Sequence, residues 1–210
     1  MAQQFFTTCL LGLAAPNLVS ADDWPQWRGP DRLAVWRETG IVNQLPDELT
    51  ITWRVPIRSG YAGPVVADGR IFVADWQEDP ESRTVDGTER LVALDEQTGA
   101  TLWTHEWPTS YRMLMFSYAV GPRATPTVDG NRVYVVGATG RLLCLNVENG
   151  TVIWEKDYVS DYGTSVPTWG VASAPLVDGD LSSPLWEANQ TRWSWPSSNT
   201  PGRKSGDLWK

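Results

Sequence analysis

Few side chains in this 210-residue sequence could carry chemistry, and their types narrow what that chemistry could be. His105 is the only histidine. With a single imidazole, placed where it reads as solvated, neither a zinc site nor a Ser-His-Asp triad is expected. Lying two residues past Trp103, His105 reads as a solvated side chain on an outer strand. Of the two cysteines, Cys9 falls in a segment expected to be removed, which leaves Cys144 without an intramolecular partner. Within "RLLCLN" that thiol reads as a small buried strand residue rather than a nucleophile. Acidic residues gather in "DWQEDPESRTVDGTER" and "DEQ", where turns would leave them solvated. The longer segment reads as a hairpin extension, with a calcium loop as the alternative. No catalytic, cofactor-binding or metal-ligating residue is assigned.

Recognition chemistry is better represented. The stretches "TSYRMLMFSYAVGPRATP" and "DYGTSVPTWGVASAP" combine aromatic, thioether and cationic groups, the composition of interface anchors. Tyr111, Arg112, Phe116, Arg123 and Trp169 are the candidates for a binding loop face, alongside Met113, Met115 and Tyr118. Packing between neighbouring elements is the alternative role for the same residues. Either role requires a scaffold that brings both stretches to one end.

A repeat supplies that scaffold. "LDEQTGATLW", ending at Trp103, and "LNVENGTVIW", ending at Trp154, share the frame Leu-Asp/Asn-x-x-Thr/Asn-Gly-x-x-apolar-Trp. Gly99 and Gly150 are 51 residues apart, as are the two tryptophans, and Trp53 lies 50 residues before Trp103. A second motif is interleaved: "PVVADGRIFV", "PTVDGNRVYV" and "PLVDGD". The β-rich runs after Asp-Gly predict one strand type. "RLVALD" and "RLLCLN" predict a second, covered on both faces. Thr98-Gly99 and Asn149-Gly150 are turns where glycine accepts positive φ, and "ATLWTHEW" and "TVIWEKDY" are outer return strands. Four strands in roughly 50 residues is the spacing of a propeller blade. The fold class is therefore all-β, a partial β-propeller of four-stranded blades. A tryptophan that recurs with the blade is expected to dock between neighbours rather than to bind a ligand. Trp53, Trp103, Trp154, Gly99 and Gly150 are the expected docking residues.

Leu-Asp-x-x-Thr-Gly-x-x-x-Trp after Arg-Leu-Val-Ala resembles the tryptophan-docking repeat of the pyrroloquinoline-quinone (PQQ)-like β-propellers. "DWPQWRGPDRLAVWRETGI" resembles the lead-in of their exported bacterial members. The resemblance covers roughly residues 22–180 and implies the fold more than the function, because the family includes dehydrogenases and outer-membrane assembly propellers alike. It implies either a non-enzymatic envelope propeller that binds protein or polymer, or a PQQ-dependent alcohol or sugar dehydrogenase. The dehydrogenase would need PQQ, calcium, a catalytic Asp and often a disulfide of adjacent cysteines, and no adjacent cysteines occur.

Net charge is −8, and residues 181–210 contribute +2, which leaves −10 for the remainder. An acidic body without a Lys/Arg patch argues against nucleic acid or an anionic membrane surface as partner. Residues 1–21 read as a signal peptide cut near Ala21, which implies a periplasmic or secreted protein with no transmembrane span in the mature chain. A lead-in (22–48), the partial propeller (49–180) and an aberrant tail (181–210) follow.

In that tail four of thirteen tryptophans occupy the last 25 residues without a strand or helix period. Tryptophan has one codon, which constrains the neighbouring reading frames. The shifted frame permits "VGGxPDAVVVAF" and then "TGxxVW", its indole falling 51 residues after Trp154. The tail is therefore expected to be an out-of-frame reading of the next blade, and the chain a fragment. Sequencing the locus should show the shifted frame running on into further blades. A stop soon after the "TGxxVW" site would sink this reading.

Overall fold

A computed structural model of the chain describes residues 21–40, 42–115 and 120–177. Residues 1–20 of the expected signal peptide, the tail, Phe116 and Tyr118 lie outside the described residues. Two four-stranded antiparallel sheets form, each a simple meander. The first blade comprises β1 (Val65–Ala67), β2 (Arg70–Glu78), β3 (Asp86–Asp95) and β4 (Thr101–Ser110). The second comprises β5 (Thr127–Asp129), β6 (Arg132–Val136), β7 (Arg141–Asn146) and β8 (Val152–Asp157). This is the four-strand unit that the repeat predicts.

The two blades match in register. One row runs Val65, Phe72, Ala93, Trp103 in the first blade, and its counterpart runs Thr127, Tyr134, Cys144, Trp154. Both outer strands slip register at the same place, between Ala93 and Leu94 and between Cys144 and Leu145. The slip leaves Leu102 and Ile153 bulged outward while the following tryptophan still points inward. Between β3 and β4, Asp95 Oδ1 accepts from Thr98 N and Oγ1 at 2.8 and 2.6 Å. Asn146 Oδ1 does the same work in the second blade, accepting from Glu148 N and Asn149 N at 2.9 and 3.2 Å. A short polar side chain that caps its own turn explains why Asp or Asn opens the motif.

Each turn ends in a glycine because an indole lies on it. The Trp103 Nε1 donates to Val147 O at 2.8 Å, and a Cβ on Gly150 would sit 2.5 Å from Trp103 Cε3. Fifty residues earlier the same arrangement holds. Trp53 Nε1 donates to Glu96 O at 2.9 Å, and a Cβ on Gly99 would sit 2.7 Å from the Trp53 ring. Trp53 and Trp103 thus each reach forward onto the turn of the next unit. Trp53 belongs by position to a blade before the first described one, and its segment joins no ladder among the described residues. Trp154 packs on Tyr134 of its own blade with centroids 6.0 Å apart, mirroring Phe72 and Trp103 at 5.8 Å.

The main core lies between the sheets, where Phe72, Leu91, Trp103, Trp107, Val133, Val135, Leu143 and Leu145 are buried together. An indole covering on the order of 200 Å² contributes at most about 5 kcal/mol by area. The lead-in fastens the inner strands. Trp24 exchanges backbone hydrogen bonds with Val66, and Val128 N donates to Pro25 O at 2.8 Å, so one strap touches both blades.

These contacts separate two glycine substitutions. Gly130→Ala meets nothing within 4 Å and bears only the strain of φ +53°, whereas Gly150→Ala adds an indole clash to φ +70°. Left-handed strain alone costs about 1–2 kcal/mol. Urea titrations should show Gly150→Ala the more damaging by at least another ~1 kcal/mol. Equal midpoints would remove the close approach of the ring as the reason for glycine.

Candidate functional site

Strand direction sorts the connections to two ends. The β1–β2 and β3–β4 turns share one end. The opposite end collects the β2–β3 hairpin, the β4–β5 connection and the chain after β8, together with residues 57–63. Hydrogen bonds knit these pieces: Tyr61 N and Ala62 N donate to Pro122 O at 2.8 and 3.0 Å, Met115 N to Thr168 O at 2.7 Å, and Val171 N to Ala138 O at 2.8 Å. The two loop stretches therefore do meet at one end of the blades.

Beneath this loop end sits a buried carboxylate. Glu89 is fully buried on β3, flanked in register by Trp76 and Trp107. Its oxygens accept from Tyr111 Oη at 2.6 Å, Trp107 Nε1 at 2.7 Å and the backbone N of Ala138 at 2.8 Å. The last bond crosses to the second blade, and a Cβ on Gly137 would collide with Glu89 Oε2. Burial raises the Glu89 carboxyl above its ordinary value, against the pull of its three donors. Burial likewise pushes the Tyr111 phenol up, and the Glu89 charge adds to that. A second buried carboxylate, Asp75, takes a bidentate Arg90 at 2.7 and 3.0 Å and the backbone N of Arg58 at 2.7 Å. Arg58 in turn pairs with Glu106 at 3.0 Å.

Both carboxylates correct the expectation that the acidic residues of this segment are solvated in turns. Asp75 and Glu89 are interior strand residues, because the longer β2 and β3 ladder extends to Glu78 and Gly87. The expected hairpin extension is present, and two of its acids cap its own tip. Asp79 accepts from Glu81 N at 2.9 Å, and Asp86 from Thr84 Oγ1 at 2.5 Å. Hydrogen bonds from Ser110 and Thr84 hold the Asp86 carboxyl below its usual range. Beside the tip runs an open groove of about 750 Å³, lined by Arg58, Asp79, Asp86, Glu106, Thr109 and others. No three His, Cys, Asp or Glu side chains converge as a metal would require among the described residues.

Of the candidates for the loop face, Tyr111 is 0% exposed and stacks on Trp76 at 4.7 Å, so it supports the surface from below. Arg112 is exposed, and Trp169 is 54% exposed. Arg123 is half-buried, with its guanidinium 5.9 Å from the Tyr61 ring and 5.7 Å from the Tyr111 ring. Tyr61, 51% exposed, belongs to this cluster and was not singled out from the sequence. Its only signal is position, three residues before the inner-strand Pro64, as Arg123 stands before Pro126. His105 is half-buried rather than solvated. It faces the second blade, where burial first and then Arg141 lower its pKa. Cys144 is buried, its thiol pushed up to about 11 by burial, which leaves it a poor nucleophile.

Two adjacent blades locked by an indole on the neighbouring turn define a propeller of the PQQ-like class. Residues 31–180 match the family model described as outer membrane protein assembly factor BamB, and the chain belongs to this family of PQQ-like repeat propellers. An outer membrane protein assembly factor BamB of Shewanella oneidensis is 25% identical over 153 residues, covering 65% of this chain and 36% of that protein. An uncharacterized protein of Rickettsia prowazekii is 33% identical over 88 residues, covering 41% of this chain and 20% of the relative. The crystal structure of BamB from Moraxella catarrhalis aligns with a TM-score of 0.26 at 24% identity, over 43% of this chain and 23% of that one. The chain thus spans about a third or less of the relatives it matches.

The raised Glu89 carboxyl gives a pH signature. Between the ordinary glutamate value and the elevated one the folded chain holds more protons than the unfolded chain, so this group's stabilisation falls as pH rises through that window. Glu89→Gln should remove that component. Urea midpoints across mildly acidic to neutral pH should therefore converge or cross between the two proteins as pH rises. A constant offset at every pH would mean that Glu89 does not titrate there.

Proposed function

We propose that this chain is part of a bacterial-envelope propeller that binds protein or polymer partners through its loop end and does not itself catalyse a reaction. One observation carries the reading. At the loop end the ionisable groups that could do chemistry, Glu89 and Tyr111, are buried and bonded to each other, while recognition-type groups, Tyr61, Met113 and Trp169, remain outside at 51, 82 and 54% exposure. Aromatic and thioether side chains on a rigid base form the kind of surface that anchors a partner. The family match supports an envelope setting, since its model and relatives are described as outer membrane protein assembly factors. Among the described residues no helix is long and apolar enough to cross a membrane. In this reading the residues at 53, 103 and 154, with Gly99 and Gly150, serve blade docking, and Arg112, Arg123 and Trp169 face the partner. In the same reading the mature protein resides in the periplasm or outside the cell.

A photo-crosslinking amino acid at Met113 or Trp169 should trap envelope proteins in cells, whereas the same group at Leu102, on the outer strand, should not. Equal trapping at all three positions would remove the loop end as the binding surface. Dye-linked oxidation of an alcohol or sugar by the chain with PQQ and calcium would overturn the non-catalytic reading.

A further inference from the structure

The loop end holds a cation whose nearest carboxylate is kept from it. Arg123 donates from Nη1 to Gly121 O at 2.8 Å and from Nη2 to Met115 O at 3.4 Å. These bonds use part of the guanidinium's five donors. No carboxylate lies within ion-pair distance of it among the described residues. The two oxygens of Glu89 are occupied by Tyr111, Trp107 and the Ala138 backbone N. Tyr111 is in contact with both groups, its hydroxyl bonded to Glu89 and its ring 5.7 Å from the guanidinium. The guanidinium is also fixed, held over the Tyr61 and Tyr111 rings and against the backbone at Gly170, where a Cβ would stand 3.4 Å from Nη1.

Exposed apolar side chains accompany this cation at the loop end. Tyr61 occupies the position equivalent to Arg123 in the preceding repeat unit, each three residues before its inner-strand proline. The two side chains therefore stand side by side on the axial side of the blades. Trp169 precedes Gly170, Met113 lies two residues from the Met115 carbonyl that Arg123 contacts, and both are exposed. Arg112 adds a second positive charge on this end. A stacked, pre-positioned guanidinium beside aromatic faces suits a planar anion attached to an apolar chain. Most of the protein is acidic, so a local cationic spot also sets the orientation in which an acidic ligand can approach.

Building on the loop-end binding reading, we propose that Arg123 is the receptor for a carboxylate carried by an extended peptide, whose apolar flanking residues lie on Tyr61, Met113 and Trp169. The carboxylate could be an internal Asp or Glu or a chain terminus, and the two sources are separable.

The test uses the 210-residue chain and dye-labelled octapeptides followed by fluorescence anisotropy. One peptide has an internal Glu between Leu and Phe with an amidated terminus. A second has Gln in place of Glu, and a third has the Gln with a free terminal carboxylate. At least one carboxylate peptide should bind about tenfold or more tighter than the neutral one, the size of a charge-assisted bidentate bond. Which of them does so tells side chain from terminus. Arg123→Gln should abolish the preference, Arg123→Lys should keep part of it, and Trp169→Ala should weaken all three peptides alike. Equal binding of charged and neutral peptides overturns the assignment, as does a preference that survives in Arg123→Gln with the parent's sheet spectrum. Should Arg123→Gln fail to fold, an unchanged preference in Arg123→Lys overturns it instead. Crosslinking at Met113 or Trp169 that persists without a carboxylate preference would sink this assignment and leave loop-end binding standing.

Discussion

An indole laid over a residue that has no side chain is the contact on which the rest of this structure depends. Trp53 covers Gly99 and Trp103 covers Gly150, and each ring nitrogen reaches the carbonyl three residues before its glycine. The interaction is apolar over the ring face and directional at the nitrogen, so it sets both the distance and the rotation between neighbouring blades. A blade has two edges, and only a contact that recurs on every blade can fix their angle uniformly. That is why the tryptophan and the glycine return at one period, and why the bulge before each tryptophan returns as well. Without the bulge the ring would turn to the opposite face.

On this uniform frame the first blade carries an addition of its own. Its β2–β3 ladder is longer than that of β6 and β7, and the extra length brings Asp75 and Glu89 into the interior. A buried carboxylate is costly unless its lone pairs are met. Asp75 is met by Arg90 and the Arg58 backbone, which ties the preceding segment to the blade. Glu89 is met by two aromatic donors and a backbone N–H of the next blade. Polar bonds with defined directions thus supplement the indole contact at the loop end, where they tie the loops to both blades. Their result is a firm base under Tyr61, Arg123 and Trp169.

Surface chemistry follows from that base. Tyr111 looked like a recognition residue because its neighbours in sequence are Arg, Met and Leu. Its side chain turns inward to stack on Trp76, and the exposed positions fall to Arg112 and Met113. His105 shows the same shift from composition to context. On an outer strand it would be solvated, but that strand faces a second blade, where burial first and then Arg141 favour the neutral imidazole. What this end exposes therefore depends on which side chains the packing leaves outside.

The all-β class, the four-strand unit, the Asp/Asn-x-x-Thr/Asn-Gly turns and the recurring tryptophans were all legible in the amino-acid order. Each rests on a local pattern: a period of two along a strand, a turn of four residues, a repeat near 50. The solvation of Asp75 and Glu89 was misread, and the pairing of Tyr61 with Arg123 was not seen. Those features join residues 15 to 62 positions apart, and they depend on register between strands and on which blade face meets the next. Spacing along a chain encodes the unit; the environment of a charge is decided only when a neighbouring unit closes over it and removes the water.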